Sequence, residues 1–431
     1  MSKKQWEKII NFFLCLVIFF LPWQTRLILR EGELNNGFWE YGTYSLYFLD
    51  FLMIIVIILG LDYFDKFKLK GFSLKKNYLF IFGLAFILWS ALSLLWSINR
   101  QLSLYYFLRL FLAISFFLVI SLIKVDWRKI SFAFIFAGLI QSLLAFWQFF
   151  SQKFFSSKIL GIAFQTAGRL GSSVIELANT RWLRAYGSFP HPNILAAFLL
   201  TVIFFDFYLI IKEKSKIAFY LLPLFIFALL ITFSRASILV LIFILLLWIC
   251  LSFIFKELTD LRKIAIFSLI IIFIFSSLLA PFLIVRLKGQ ERVELISLKE
   301  RINQFYLAKN LIKKFFFLGS GLGTFTFAFY LFQPNFPNWY YQPVHNIYLL
   351  IWQELGIIGF FLFFLFLVIA FVYAFKNKLK KEGVFIFSLF LSLLIIGLFD
   401  HFLWTINCTL VLWWLIFALL WQTLDKGIVD E

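Results

Sequence analysis

The side chains of this chain that could move a proton or hold an anion near neutral pH are few. There are three histidines, His191, His345 and His401. His345 stands in Pro-Val-His-Asn-Ile-Tyr, directly before the apolar run Leu-Leu-Ile-Trp-Gln-Glu-Leu-Gly-Ile-Ile-Gly. An imidazole that titrates near neutrality, placed at such a loop end, suits a general base. A structural hydrogen bond would account for it equally well. His191 lies between Pro190 and Pro192, and Pro192 fits a first helical turn, so a turn role suffices for this histidine. His401 follows Asp400, and sequence neighbours on a helix do not face each other. Arg235, in Thr-Phe-Ser-Arg-Ala-Ser, has almost no loop around it between two apolar runs. A charge at such a rim is costly unless it is paired or ligand-bound, which makes it a functional candidate.

The elements that must position these groups are membrane helices. Of 431 residues, 63% are hydrophobic, 22% aromatic and only 14% charged. Average soluble domains are about 45–50% apolar and about 25% charged, so a soluble enzyme is excluded, as is a disordered chain. Runs of roughly 20 apolar residues, the length a spanning helix needs, fall near 9–29, 44–61, 78–96, 102–123, 130–150, 192–211, 216–233, 236–254, 263–285, 356–374, 383–400 and 403–421. The expected fold is therefore an all-α polytopic membrane protein with about 12 transmembrane helices, a single domain over 1–431. The N-terminal apolar run lacks a small-residue cleavage site and reads as an uncleaved first span. Cys15, Cys250 and Cys408 each sit inside an apolar run, match no metal spacing and read as small hydrophobes.

Charge sorts the connections. Lysine clusters occupy alternate short connections: Lys3, Lys4 and Lys8; Lys66, Lys68, Lys70, Lys75 and Lys76; Lys124, Arg128 and Lys129; Lys212, Lys214 and Lys216; Lys256, Arg262 and Lys263; Lys376, Lys378, Lys380 and Lys381; and Lys426. The positive-inside rule puts these and both termini in the cytoplasm. Segments 151–191 and 286–355 then become extracytoplasmic loops. Both are nonetheless net basic and rich in Arg, including Arg169, Arg181, Arg184, Arg286, Arg292 and Arg301. Arginine suits two-point phosphate recognition, although contact with anionic lipid headgroups explains the same excess. The net charge of +18 thus calls for no nucleic-acid partner. Ile302, Phe305, Ile312 and Phe316, with Arg301, Lys309 and Lys313 among them, read as an amphipathic helix on the membrane surface. The run Gly319-Ser320-Gly321-Leu322-Gly323-Thr324 has no strand before it; a tight backbone path explains it better than a nucleotide loop. Asp50, Arg109 and Asp206 lie in or near spans and read as structural ion pairs.

RAYGSFPHPNILAAFL at 184–199, FSRASILVL at 233–241, ERINQFYLAKNLIKKFFFLGSGLGTF at 300–325, HNIYLLIWQELGIIGF at 345–360 and LFDHFLW ending at Trp404 form an ordered set. Together they resemble the O-antigen ligase and polymerase superfamily of bacterial membrane glycosyltransferases. The resemblance covers roughly the second half of the chain; the first five spans add nothing to it. It implies a GT-C-like helical enzyme of the inner membrane, with its active site on the extracytoplasmic loop 286–355 and interfacial helices there. Such an enzyme transfers a glycan from undecaprenyl diphosphate to a glycan, lipid or protein acceptor. Carried over by position, Arg235 and Arg301 match diphosphate-binding arginines and His345 the histidine acting on the acceptor hydroxyl. Asp400, Arg184, Asn193, Asn346, Gly321 and Gly323 match supporting positions. Ala236 departs from the glycine that many relatives carry there.

No cofactor and no metal are expected. Arginines can neutralise a diphosphate leaving group, and the outer loops hold no Asp-x-Asp motif. Attack opposite the diphosphate would invert the anomeric centre. A polymerase joining carrier-linked repeat units needs the same donor site and is the alternative within the class. A secondary transporter is the alternative outside it, but the halves show no correspondence to each other. On the topology above, a cysteine placed at Ser172 or Gln290 should react with an impermeant thiol reagent in intact cells. Reaction only after permeabilisation would invert the assignment.

Overall fold

Backbone polar groups in hydrocarbon must be satisfied within the chain, and this protein does so chiefly with helices. The computed structural model describes residues 2–67, 78–177, 180–376 and 383–424. Lys68, Lys70, Lys75, Lys76, Lys378, Lys380, Lys381 and Lys426 of the topology argument lie outside the described residues. In chain order the helices are α1 (Lys3–Phe20), α2 (Phe48–Phe67), α3 (Tyr78–Leu92), α4 (Arg100–Leu122), α5 (Trp127–Ser151), α6 (Pro192–Ile211), α7 (Lys216–Leu230) and α8 (Arg235–Ile254). They continue with α9 (Thr259–Leu278), α10 (Ala280–Lys288), α11 (Arg292–Lys314), α12 (Phe325–Phe332), α13 (Ile347–Lys376), α14 (Gly383–Gly397), α15 (Phe402–Thr405) and α16 (Asn407–Leu424). Among the described residues, six helical stretches are long and apolar enough to cross a bilayer: Arg100–Leu122, Trp127–Ser151, Pro192–Ile211, Arg235–Ile254, Lys256–Leu278 and Ile347–Val372. Shorter apolar helices, such as Lys216–Leu230 and Gly383–Gly397, pack among them. The protein is a membrane protein, mostly helical.

It is not all-α. Among the described residues, four antiparallel two-stranded sheets pair β1 (Arg26–Arg30) with β4 (Tyr44–Tyr47), β2 (Glu33–Leu34) with β3 (Gly37–Phe38), β5 (Lys153–Phe154) with β6 (Gln165–Thr166), and β7 (Val174–Leu177) with β8 (Thr180–Leu183). Two expected spans shrink accordingly. The first ends at Phe20, because Pro22 cannot extend a helix, and the second begins at Phe48. Apolar content misled here: Leu27, Ile28 and Leu29 alternate on a strand and are exposed. The span expected at 263–285 divides into α9 and α10 at Leu279, next to Pro281. The span expected at 403–421 likewise divides into α15 and α16 at Ile406. Ser172 is buried against Gln165, so Leu170, 90% exposed, is the better labelling position in that loop.

The bundle is organised around α6, whose residues from Ile194 to Leu209 are all buried. It packs on α5, α7, α8 and α14, while α4 packs on α16 and α3 on α13. A helix buried on every side belongs at the centre of the assembly, and its N-terminus is therefore a fixed point. On the periphery, Phe51, Ile58, Leu108, Phe136, Phe243, Phe253, Phe273 and Phe361 are exposed along helices. Water would not tolerate such a girdle; lipid does. At one end of the bundle Asn11 bonds the Lys124 carbonyl and Gln422 the carbonyls of Ile120 and Ile123. At the other end lie the hairpins and α10 to α12, joined when Asn338 donates to the Phe38 carbonyl and Arg292 pairs with Glu176.

Helix α13 starts at Ile347, within the expected loop, and breaks at Gly356, where φ is +69° and ψ −178°. A break frees backbone groups that need new partners. The glycine-rich run supplies them: Ser320 N donates to the Gln353 carbonyl at 3.0 Å and Gly321 N to the Glu354 carbonyl at 2.9 Å. Ile357 N donates to the Phe316 carbonyl at 2.8 Å, and Trp89 Nε1 to the Leu355 carbonyl at 2.8 Å. A Cβ on Gly319 would lie 2.2 Å from the Glu354 carbonyl oxygen, and one on Gly356 2.1 Å from that of Phe317. Both glycines are therefore required by close backbone approach as well as by positive φ.

The other intramembrane charges are settled by geometry. Asp50 accepts from Asn407 Nδ2 at 2.8 Å, and Asn407 Oδ1 accepts from Arg109 Nε at 3.3 Å. The expected ion pair is thus bridged by an amide, tying α2, α4 and α16, with Arg109 also over the rings of Tyr47, Tyr105 and Tyr106. Asp206 forms no ion pair: it is buried within α6 with no hydrogen-bond partner among the described residues.

Candidate active site

Asp400 follows the end of α14, and four chain segments converge on it. Asn193 Nδ2 donates to its Oδ2 at 2.8 Å, and the His401 backbone N–H to its Oδ1 at 2.9 Å. Asn193 is held in turn by Arg184, whose Nη2 donates to Asn193 Oδ1 at 2.8 Å. The same guanidinium reaches the Thr232 carbonyl at 2.7 Å and Ser173 Oγ at 2.8 Å. Arg184 is buried and bound to neutral oxygens, so it fastens the β7–β8 hairpin and the α7–α8 turn to the N-terminus of α6. His191 caps α6: its Nδ1 accepts from Asn193 N at 3.1 Å. The turn reading of His191 is correct.

The three histidines and Asp400 are neighbours. The rings of His345 and His401 meet edge to face, with centroids 5.1 Å apart. One ligand atom each from His345, Asp400 and His401 lies within 4.8 Å of the others, a donor set able in principle to hold a cation. Each is already engaged. His345 Nδ1 lies 2.7 Å from Gln304 Oε1, and His401 Nδ1 lies 2.8 Å from Thr405 Oγ1. With Gln304 Oε1 as the acceptor, Nδ1 of His345 carries the proton and Nε2 keeps its lone pair. Burial opposes the charge on Asp400, but His345, His401, Arg301 and His191 outweigh it and hold the carboxyl below its ordinary range. Burial lowers the pKa of His345 against the pull of Asp400, aided by His401 and Arg301. Burial, with Arg184, lowers His191 to about 3. Both imidazoles are therefore neutral at pH 7.

A cleft opens beside Asp400, lined by Asn193, Ser234, Arg235, Arg286, Arg301 and Phe399, among others. Arg235 starts α8 after a turn in which Phe233 adopts φ +51°, a strained value for a bulky residue. The turn holds because Thr232 Oγ1 accepts from Ser234 N and Arg286 donates to the Phe233 carbonyl. Arg286 also pairs with buried Glu294, and Arg235 lies 3.5 Å from the same carboxylate. Arg301, on α11, donates to the Phe399 carbonyl at 3.3 Å and forms no ion pair among the described residues. Three guanidinium groups thus face the cleft against the carboxylates of Glu294 and Asp400. The net positive charge suits an anion that accepts several N–H bonds.

Sequence reasoning brought together Arg235, Arg301, His345, Asp400, Arg184 and Asn193, and the structure gathers all six at one end of the bundle. It missed Arg286, Glu294 and Gln304 as members. Arg286 was only one basic residue among many in its loop; the break beside Pro281 that aims it was the available signal. Asn346 caps α13, its Oδ1 accepting from Tyr348 N and Leu349 N, and its Nδ2 bonds the Leu398 carbonyl. Gly321 and Gly323 do not line the arginine cleft: a Cβ on Gly321 would meet Ser97 at 2.3 Å, and one on Gly323 would meet Tyr106 at 2.2 Å. They serve packing at the α13 break.

Residues 219–364 match the family model described as O-antigen ligase, so the resemblance read from the sequence is shown over that stretch. The stretch contains Arg235, Arg286, Arg301 and His345, whereas Arg184, Asn193 and Asp400 lie outside it. No curated protein matches the chain.

The depressed His191 pKa carries a sign for stability. The unfolded imidazole binds a proton near pH 6.5 and the folded one only near 3, so its contribution is complete above about 6.5 and is lost as pH falls through that window. At pH 5 the loss is roughly 1–2 kcal/mol. The melting temperature of the detergent-solubilised protein should fall between pH 7.5 and pH 5. His191→Asn, which can still cap α6, should show a shallower fall. Parallel slopes would show that His191 does not contribute.

Proposed function

We propose that this chain is a metal-independent membrane glycosyltransferase that moves a glycan from undecaprenyl diphosphate to an acceptor hydroxyl. The reading places the active site on the extracytoplasmic face of the bacterial inner membrane, with both termini in the cytoplasm. One observation carries it: Arg235, Arg286 and Arg301 share a cleft with Asp400, and His345 offers a nitrogen within 4.8 Å of that carboxylate. The similarity of residues 219–364 to O-antigen ligase supports the class of reaction.

In this mechanism the donor diphosphate sits among the guanidinium groups while its lipid tail remains in the bilayer. His345 Nε2 accepts the proton of the acceptor hydroxyl, and the oxygen attacks the anomeric carbon. The bond from that carbon to the diphosphate oxygen breaks with its electron pair going to the leaving group, and the centre inverts. The developing charge on the leaving diphosphate is stabilised by arginines already in place, which costs no reorganisation in the transition state. Asp400 stabilises the imidazolium that forms, as a carboxylate beside a catalytic histidine does elsewhere. Gln304 fixes the tautomer. A polymerase would use the same donor chemistry and differ only in what presents the hydroxyl.

Arg235→Lys keeps the charge and loses the planar two-point contact. Each lost charged hydrogen bond costs about 1.5–3 kcal/mol, so donor binding or transfer should fall roughly 10–200-fold. His345→Ala should leave donor-lipid binding intact and cut transfer by about 10²–10⁴-fold. These variants are compared at matched membrane levels, by donor-lipid binding and glycan transfer together. A folded His345→Ala protein that transfers at the wild-type rate would remove the histidine from the mechanism.

Because arginines supply the positive charge, transfer should survive EDTA. Loss of turnover on chelation, restored by Mg²⁺ or Mn²⁺, would instead assign His345, Asp400 and His401 to a metal.

A further inference from the structure

A second cleft, of about 240 Å³, lies on the other side of Gln304. Its floor is one face of α11, Asn303, Tyr306, Leu307 and Asn310, spaced as successive turns of a helix. Its far wall is Phe329, Phe332, Gln333, Phe336 and Tyr340, from α12 and the chain after it. The rings of Phe336 and Tyr340 are stacked with centroids 4.4 Å apart, and Phe329 braces Tyr340 edge-on at 5.7 Å. The side-chain amides of Asn303 and Asn310 are exposed and have no hydrogen-bond partner among the described residues. No charged residue lines this cleft.

Rigid aromatic faces beside free amides have a recognisable chemistry. Amides match hydroxyls, which both donate and accept. The electron-rich face of an aromatic ring receives the weakly positive C–H groups along one face of a sugar ring. The volume is below the about 300–1,000 Å³ of pockets that engulf a drug-sized ligand, which suits a single sugar unit. The connection to the histidine runs through one side chain: Gln304 lines this cleft and holds His345 Nδ1. Arg301, three residues earlier on α11, lines the arginine cleft. Two differently built clefts therefore lie along a single helix, one lined by Gln304, which holds His345, and the other by Asp400, its neighbour.

We propose that the cleft between α11 and α12 is the acceptor subsite, which binds an uncharged sugar unit of the acceptor next to the Gln304–His345 pair. The assignment rests on the transferase reading above and adds to it the class of acceptor recognised beside the base, a neutral saccharide. An acceptor held only by its protein or lipid part would not need these residues.

The test uses the full chain in detergent or nanodiscs with Tyr340→Ala and the double variant Asn303→Ala with Asn310→Ala. Transfer kinetics are measured against acceptor, and binding is measured directly with maltotriose, chitotriose and undecaprenyl diphosphate. The acceptor KM should rise about tenfold in each variant, the effect of losing one or two neutral contacts. The turnover number and the undecaprenyl diphosphate affinity should stay within about twofold, and any trisaccharide bound by wild type should bind about tenfold more weakly. Tyr340→Phe, which keeps the ring, should retain the wild-type KM. An unchanged acceptor KM in both variants overturns the assignment, as does a lowered turnover number at constant KM. Failure of the underlying reading is distinct: wild type would bind trisaccharide through these residues yet never turn over a lipid diphosphate.

Discussion

A carboxylate removed from water is tolerated only when its charge is met, and that requirement at Asp400 organises this end of the molecule. Asp400 leaves α14 where the bundle opens, and two hydrogen bonds fix it: from Asn193 on the central helix and from its own neighbour's backbone. Asn193 depends on Arg184, and Arg184 draws in the α7–α8 turn that presents Arg235. The histidines gather around the same carboxylate. Remove its charge and the reason for each of these contacts weakens in turn.

The arginines follow a different logic. Arg235 and Arg286 share Glu294, so neither guanidinium is left bare when no anion is bound. Arg301 donates to the Phe399 carbonyl and forms no ion pair among the described residues. An incoming diphosphate would compete for two partly satisfied cations and a third that faces Asp400 without an ion pair among the described residues. Binding energy is then spread over three side chains on α8, α10 and α11, which come together only in the folded bundle.

Much of this was legible from side-chain type alone. A histidine before an apolar run, an arginine in a loopless turn and an acid at a helix end are candidates for chemistry by their type and place alone. Asn193 and Arg184 followed only from their place in a quoted motif, because nothing local shows that one orients the other across nine residues. Arg286, Glu294 and Gln304 were hidden for a plainer reason. A charge or amide in a long polar segment looks solvated until the fold turns it inward. The hairpins at 26–47 were misread because strand and helix share the same apolar vocabulary over short runs, and period decides only when the window is long. Conversely, the glycine run was correctly read as backbone geometry, although its partner across the chain, the break at Gly356, was not foreseen.

That break has a consequence for how the chain can vary in length. Residues 316–321 and 353–357 are joined amide to carbonyl across the helix break, so their mutual register is locked. Inserting or deleting one residue inside either stretch would shift every paired group off its partner and bring a side chain where Gly319 or Gly356 admits none. Between them, the exposed stretch around Pro334 and Asn335 is tied in its turn, the Pro334 and Phe336 carbonyls both accepting from Asn35 Nδ2. Natural length variation should therefore be kept out of both stretches alike, as from a closed ring whose clasp cannot move.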